Sequence, residues 1–426
     1  MKIILIHSPF FIFNMKDHNL IIRKINNRDE YAVYDLQRPL IRIIEKEEID
    51  IAKEITLREA KDTSDSHSES CRSEYISVIY IILTNGCNLA CDYCFARGIM
   101  GGKIMNDDTV NGIVNRLKEY FNESEKKPVI TFYGGEPLLN HKCLFGIMDK
   151  LQEIEGFQFQ LVTNGTLFSK ALIDSLKNYP IKVGISLDGS QSIHDKHRKY
   201  HSGKGSFDEV FRALERLILM GLDVSLSITL TKEIIQNEDE VFSFIINSGV
   251  NRIAFNLLRC VFYDADRAEK YYSEAANFLY RFYQKLKPYG IIENSIFQRM
   301  KALYNRSIFY SECAVISGRQ ITIDVDGSIY TCQVDREKST LVGNVFSDSF
   351  SNINLPVLEG MIPILNEDCQ NCFALPICGG GCPIQSRMLK NNYCDKAIRI
   401  HYSICSFSKI LMDNILEDMC KLKKEI

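Results

Sequence analysis

Residues 87–94 read CNLACDYC, three cysteines within eight residues, separated by three residues and then by two. Three thiolates in so short a loop can hold three corners of one metal centre. A structural zinc site needs a fourth ligand, and none lies close by in sequence. A 4Fe–4S cluster on three cysteines leaves one iron open to a further ligand. A disulfide would leave an odd thiol. Which reading holds depends on what surrounds the loop.

Just before it, YISVIYIIL at residues 75–83 is a continuous apolar run closed by Thr84, Asn85 and Gly86. Such a run predicts a buried strand. Five more follow: VITFY at 129–133, FQFQLVT at 157–163, IKVGISL at 181–187, VSLSITL at 224–230 and RIAFNLL at 252–258. Helix-like stretches alternate with them, among them DDTVNGIVNRLKEYF, SFDEVFRALERLILM and EDEVFSFIINSG. Asp107 or Ser206 suits a helix start, and Gly221 and Gly249 supply stops. Strand alternating with helix predicts a parallel α/β sheet with right-handed crossovers. Six units are too few for the usual eightfold barrel. They suit an open, partial (β/α)6 barrel with its site at the C-terminal ends of the strands. CNLACDYC sits at the end of the first.

The composition narrows the class. The chain has 426 residues, with 46% apolar and 25% charged. That is enough for two or three domains with sizeable cores. A formal net charge of −3 argues against a nucleic-acid surface built on bulk positive charge. No apolar run approaches the roughly 18 residues that span a bilayer, so no membrane partner is expected. MKIILIHSPFFIFN at the N-terminus is briefly apolar, but His7, Pro9 and the lack of a small-residue cleavage site argue against a signal peptide. The expected location is cytoplasmic, where fifteen cysteines point to metal sites rather than disulfides. Eight of the fifteen lie between Cys313 and Cys405.

Residues 1–58 carry short β-type runs, FFIFN, LIIRKI and EYAVYDL, then a charged helix-like stretch, RPLIRIIEKEEIDIAKEI. KDTSDSHSES at 61–70 reads as a linker. The expected organisation is a small N-terminal α+β domain with its linker over 1–70, the partial barrel over 71–290, and a bridging helix with a cysteine-rich domain over 291–426. The first segment is small for independent stability and is expected to dock on the rest. The last has too little apolar periodicity for a large core, so bound metal is expected to hold it together.

The spacing C-x3-C-x-aromatic-C, with Tyr93 as the aromatic, resembles the signature of radical S-adenosylmethionine (SAM) enzymes. In that family three cysteines hold a 4Fe–4S cluster whose open iron chelates SAM. Its cleavage gives a 5′-deoxyadenosyl radical that takes hydrogen from a substrate. The resemblance implies that Cys87, Cys91 and Cys94 are the catalytic cluster ligands. YGGEP at 133–137 resembles the family's GGE motif and implies that Gly134, Gly135 and Glu136 meet the SAM amino group. The chemistry agrees, since glycines admit close approach and a carboxylate complements an ammonium. TNGTL at 163–167 and SLDG at 186–189 resemble the family's other strand ends. Ser186 and Asp188 are candidates for the SAM ribose or carboxylate or for the substrate, and Arg198 for the SAM carboxylate. His194, His197 and His201 cluster nearby in a charged loop and read as solvated.

CQNCFALPICGGGC gives Cys369, Cys372, Cys378 and Cys382, preceded by Cys313 and by DGSIYTC ending at Cys332. The spacings permit one or two zinc ribbons. They also resemble the SPASM domain, an extension of one radical SAM subgroup that carries auxiliary 4Fe–4S clusters. That resemblance implies a first auxiliary cluster on Cys313, Cys332 and Cys382. It implies a second on Cys369, Cys372, Cys378 and Cys405, with Cys394 as the alternative closing ligand. CAVISGR lacks the second early cysteine of some relatives, which leaves the first auxiliary cluster three evident ligands. Its fourth position is either an open iron, able to bind a substrate thiolate, or is filled by Cys394 or a non-cysteine ligand. Three 4Fe–4S clusters and SAM are thus the expected cofactors. Cys71, Cys143, Cys260 and Cys420 read mostly as buried small residues, with Cys260 a candidate to face the site.

SPASM-type enzymes mostly modify peptides or proteins. The resemblance implies a maturase of a ribosomally made precursor peptide. From its position and its strand-then-helix pattern alone, the N-terminal segment reads as a winged-helix-like domain that captures the leader by strand addition, with a plain structural extension as the alternative. The implied product is a Cys-derived thioether crosslink, with electrons from an external donor such as flavodoxin or ferredoxin. An anaerobic sulfatase-maturing enzyme, forming formylglycine, fits the same clusters. A non-catalytic metal scaffold is the reading of another class, and it gives no reason for a carboxylate in YGGEP.

Overall fold

The computed structural model describes residues 20–25, 28–35, 40–49, 75–94, 101–124, 126–152, 154, 156–259, 265–358, 361–366, 369, 371–383 and 395–425. The linker over 61–70 and the run FFIFN lie outside them. β1 (Leu20–Lys24), β2 (Glu30–Asp35) and β3 (Leu40–Glu45) form a small antiparallel meander. The main body is one sheet. Its parallel centre comprises β4 (Val78–Thr84), β5 (Val129–Gly134), β6 (Gln158–Thr163), β7 (Ile181–Ser186), β8 (Asp223–Leu230) and β9 (Arg252–Leu257), adjacent in chain order. All six runs expected from the sequence are strands. Short β10 (Ile292–Glu293) adds to the β9 edge.

The register explains the layering. Ile81, Phe132, Leu161, Val183 and Val224 lie side by side across five strands. All are 5% exposed or less, packed under the helices. Each such side chain contributes about 1.5–3 kcal/mol through burial. The alternate residues face the other way. On β8, Ser225, Ser227 and Thr229 line a cavity, which Leu226 also borders, while Val224, Ile228 and Leu230 are buried away from it. The alternation in VSLSITL is therefore the difference between core and cavity wall.

The crossover helices are α1 (Asp107–Glu123), α2 (His141–Leu151), α3 (Lys170–Leu176), α4 (Gln191–His197), α5 (Phe207–Leu219), α6 (Lys232–Gln236) and α7 (Glu238–Asn247). Two expected starts differ. Asn106, not Asp107, caps α1, its side chain accepting from the Thr109 N–H at 2.9 Å. Ser206 precedes α5, but its hydroxyl donates to the Arg198 carbonyl instead of capping. Gly221 and Gly249 end their helices at φ +76° and +79°.

Two helices follow the parallel strands, α8 (Ala265–Leu286) and α9 (Asn294–Tyr304). α8 packs on the terminal helix α10 (Asp395–Glu425) through Tyr272 against Phe407, and the Tyr280 hydroxyl donates to Asp418 at 2.8 Å. Among the described residues no helix is long and apolar enough to cross a membrane.

Two features depart from expectation. β11 (Gln320–Ile323) pairs in parallel with β4, and β12 (Ser328–Tyr330) and β13 (Leu341–Asn344) continue that edge. The cysteine-rich segment thus begins as an extension of the central sheet. In RPLIRIIEKEEIDIAKEI, residues 40–45 form a strand, not a helix, because all six pair with β2. Ile41 and Ile43 then share one face and Ile44 turns to the other, beside Ile22, Tyr31 and Val33.

Candidate active site

The loop after β4 lies against the end of β5. Gly135 N–H donates to Thr84 O at 2.9 Å, and Glu136 N–H to Gly86 O at 2.8 Å. Gly134 sits at φ +148°, where a Cβ would come 2.3 Å from Thr84 O. A Cβ on Gly135 would come 2.1 Å from Gly86 O. The close approach these glycines permit is to the chain leading into Cys87.

Glu136 has no exposed surface. Its Oε1 accepts from the Thr163 hydroxyl at 2.6 Å and the Leu138 N–H at 3.0 Å, and Oε2 accepts from the Asn164 N–H at 2.7 Å. Burial pushes the carboxyl up to about 7 despite these three donors. Glu136 therefore ties the ends of β5 and β6 together. From there a polar chain runs into the cysteine loop. Asn164 Nδ2 donates to Asn88 Oδ1 at 2.9 Å and lies 3.8 Å from the Cys87 sulfur. Asn88 Nδ2 donates to the Thr166 hydroxyl at 2.8 Å, which donates back to Asn164 at 2.7 Å. Sequence reading missed Asn88, Asn164 and Thr166. The available signal was an amide inside CNLAC opposite an Asn-Gly turn at a neighbouring strand end.

Asp188 also has no exposed surface. It accepts from Arg198 Nε at 2.8 Å, from the Thr229 N–H at 2.8 Å and from the Tyr93 hydroxyl. Burial alone would raise its carboxyl, but Arg198 holds it below the usual range. Burial likewise works against Arg198, and Asp188 holds its guanidinium more firmly protonated than usual. That guanidinium lies 5.4 Å from the Tyr93 ring centroid. Asp188 thus has its acceptors filled by protein donors and acts through Tyr93 and Arg198. Asp188 itself is not among the residues that line the cavity. Tyr93, Ser186 and Arg198 do line the cavity.

The histidines are not a solvated set. His194 has no exposed surface. Its Nδ1 accepts the Asp188 N–H at 3.1 Å, so Nε2 carries the proton and donates to the Ser206 hydroxyl at 3.0 Å. Burial and then the nearby Arg198 lower its pKa to about 3. The unfolded chain takes up this proton near 6.5 and the folded chain does not. Stability is therefore complete above pH 6.5 and falls as pH drops towards 3. Between pH 6.5 and 5 the loss is about 2 kcal/mol. Urea unfolding of the wild type and His194→Gln at pH 7.5 and 5 measures it; the variant shows the smaller difference. His197 lies between Asp92, at 2.9 Å, and Glu233, at 3.0 Å. His201 is exposed and contacts Cys87 O at 3.2 Å.

The described cysteines are all free thiols and fall into groups. Cys87, Cys91 and Cys94 line one end of the cavity, of about 1170 Å³. Burial pushes the Cys87 thiol up to about 11 and raises Cys91. Cys313, Cys332 and Cys382 pack with Val315 and Val334, and Cys382 reaches the cavity. Burial, then Cys332 and Cys382, push Cys313 up to about 12. Cys405 is pushed to about 12 by burial and by Cys378, Cys369 and Cys372. Cys143 and Cys420 are buried small residues. Cys71, Cys260 and Cys394 lie outside the described residues. Among the described residues no three His, Cys, Asp or Glu gather closely enough for a single metal ion. The donor sets still fit iron–sulfur clusters. They are soft thiols, their burial as bare thiolates is unfavourable, and a cluster supplies the compensating positive charge.

The comparisons agree with this geometry. Residues 81–256 match the model described as the radical SAM superfamily. A cysteine-type anaerobic sulfatase-maturating enzyme of Clostridium perfringens is 24% identical over 361 residues, 78% of this chain and 95% of that protein. The radical SAM cyclopropyl synthase TigE of Paramaledivibacter caminithermalis is 24% identical over 81% of this chain and 75% of its own. Among solved structures, anSMEcpe with bound AdoMet has a TM-score of 0.67 at 20% identity, covering 82% of this chain and all of that one. SuiB of Streptococcus suis bound to the precursor peptide SuiA has a TM-score of 0.52 at 15% identity, covering 87% and 95%. Residues 81–256 are thus a radical SAM domain, in a chain that resembles the maturases of that superfamily.

Proposed function

We propose that this chain matures a ribosomally made precursor peptide by radical SAM chemistry, ending in a Cys-derived thioether. The observation that carries the reading is the cavity. It is lined by Cys87, Cys91 and Cys94 of the first cysteine loop and also by Cys382 and Phe407 from the C-terminal part of the chain. Its volume of about 1170 Å³ exceeds the roughly 300–1,000 Å³ of small-molecule pockets, as a cofactor together with a peptide segment requires. Bound together there, a reduced 4Fe–4S cluster and SAM supply the 5′-deoxyadenosyl radical.

The residues have separable tasks. Cys87, Cys91 and Cys94 hold that cluster. Gly134 and Gly135 form the floor on which the SAM amino group rests, and Glu136, buried behind them, holds the ends of β5 and β6 in place. Ser186, Tyr93 and Arg198 form the wall towards its ribose and carboxylate. The β8 row Ser225, Ser227 and Thr229 offers uncharged hydrogen-bonding groups to a substrate main chain. Cys313, Cys332 and Cys382 hold one auxiliary cluster, and Cys369, Cys372, Cys378 and Cys405 the other, in a SPASM domain over 291–426. Residues 71–290 are the barrel, and 1–70 the leader-binding domain with its linker. Electrons come from a flavodoxin or ferredoxin, in the cytoplasm.

A sulfatase-maturing activity is the second reading, favoured by the similarity that spans 95% of the Clostridium perfringens enzyme. Against it, all of anSMEcpe is matched by 82% of this chain, which leaves residues here without a counterpart there. A leader-binding domain accounts for such a surplus.

Two measurements test the proposal. Anaerobically reconstituted protein holds about twelve irons per chain, four per cluster; zinc without iron would overturn the enzyme reading. Co-expression with a short Cys-containing neighbouring reading frame, read by mass spectrometry, identifies the product. A thioether removes two hydrogens and keeps the sulfur, whereas formylglycine replaces sulfur with oxygen.

A further inference from the structure

β1 places an arginine where a small sheet would ordinarily bury an aliphatic side chain. Arg23 is 4% exposed, next to Ile21 and Ile22 at 4% and 1%. One face of the meander packs Ile21 and Tyr34 against Ile308 and Leu375, with Cys369 and Phe373 in the same cluster. The meander therefore closes over the segment that carries Cys369 and Cys372. Within that contact the Arg23 guanidinium lies 3.2 Å from the centroid of the Phe373 ring, one residue after Cys372. It forms an ion pair with Asp413, on α10 about two turns beyond Cys405.

As a pin for the meander this arrangement is costly. Burying an ion pair commonly gains nothing over apolar packing of the same volume. Ile21 and Tyr34 already supply the apolar contact. The position of the charge has a different consequence. It bears on Cys372. Lys409 bears on Cys372 and Cys405 too, but it is exposed and screened by solvent, whereas Arg23 is buried and is not. A cation held near a thiolate-ligated cluster stabilises the reduced form, which carries one more negative charge.

We infer that Arg23 raises the reduction potential of the cluster held by Cys369, Cys372, Cys378 and Cys405, with Asp413 moderating it, so that the N-terminal meander forms part of that centre's electrostatic wall. The inference rests on the proposed reading of those four cysteines as cluster ligands. Arg23 is a positioning residue in this sense: it acts on the centre through Phe373 and the local field, not as a ligand. Displacing the meander would both remove the charge and admit water, and each alters the potential.

The test is an electron-paramagnetic-resonance redox titration of the full chain, anaerobically reconstituted, with iron counted in every sample. The wild type is compared with Arg23→Met, Arg23→Lys and Asp413→Asn. Arg23→Met is expected to move one auxiliary midpoint to more negative potential and Asp413→Asn to move the same one to more positive potential. Arg23→Lys stays near the wild type, and the other two midpoints do not move. A merely structural pin predicts instead that both charge-removing variants shift in the same direction or only lose iron, and either result overturns the inference. Unmoved midpoints at full iron content overturn it as well. If Arg23→Met does not assemble, the upward shift in Asp413→Asn, with Arg23→Lys near the wild type, decides. A wild type with only about four irons instead overturns the reading of those four cysteines as cluster ligands, and this inference with it.

Discussion

Asp188→Asn is expected to destabilise the protein by about 3–5 kcal/mol and to weaken SAM binding. The substitution keeps the shape and removes the charge. Asp188 has no exposed surface, and its carboxylate is met by Arg198, Tyr93 and the Thr229 N–H. An asparagine leaves the Arg198 guanidinium buried without its counter-charge. It also turns an amide N–H towards groups that are themselves donors, an uncompensated polar contact. Tyr93 and Arg198 both face the cavity, so their loss of orientation is felt there. Urea unfolding gives the stability term. The Asp188→Asn, Arg198→Met double variant separates the pair from the site, and it should be less destabilised than Asp188→Asn alone. A loss below about 1 kcal/mol in the single variant would show that the pair is not the internal support described here.

Cys87→Ala is expected to reduce 5′-deoxyadenosine formation to background while the fold persists. Cys87 is only partly buried, so its sulfur contributes little to packing. Iron should fall from about twelve to about eight per chain, since the cysteines from Cys313 onward form separate groups. Loss of all iron would mean that the groups assemble as one unit. Retained cleavage of SAM would remove the loop from the chemistry.

The parallel sheet was legible in the sequence because each strand announces itself locally. VSLSITL alternates every second residue, and YISVIYIIL is apolar throughout, as a strand covered on both faces must be. Non-local pairing was not legible. QITI over 320–323 carries no mark that it will join β4, some 240 positions earlier in the chain, and LIRIIE reads equally as helix until β2 is beside it. The same holds within the site. The three cysteines and YGGEP stand out by spacing. Asp188, Glu136 and His194 stand out as chemical groups, but their partners come from different strand ends. Only the assembled sheet shows that Asp188 serves Arg198 and Tyr93, that Glu136 joins β5 to β6, and that His194 is a neutral hydrogen-bonding post. The link from Asn88 to Asn164 and Thr166 depends on strand order in the same way.

The central claim is that CNLACDYC, clamped against the glycines of β5, holds the cluster that cleaves SAM. The most direct measurement is product analysis after incubating the anaerobically reconstituted, dithionite-reduced protein with SAM alone. The account predicts 5′-deoxyadenosine and methionine in equal amounts, with none from Cys87→Ala. SAM recovered intact from protein carrying its full complement of iron would contradict it.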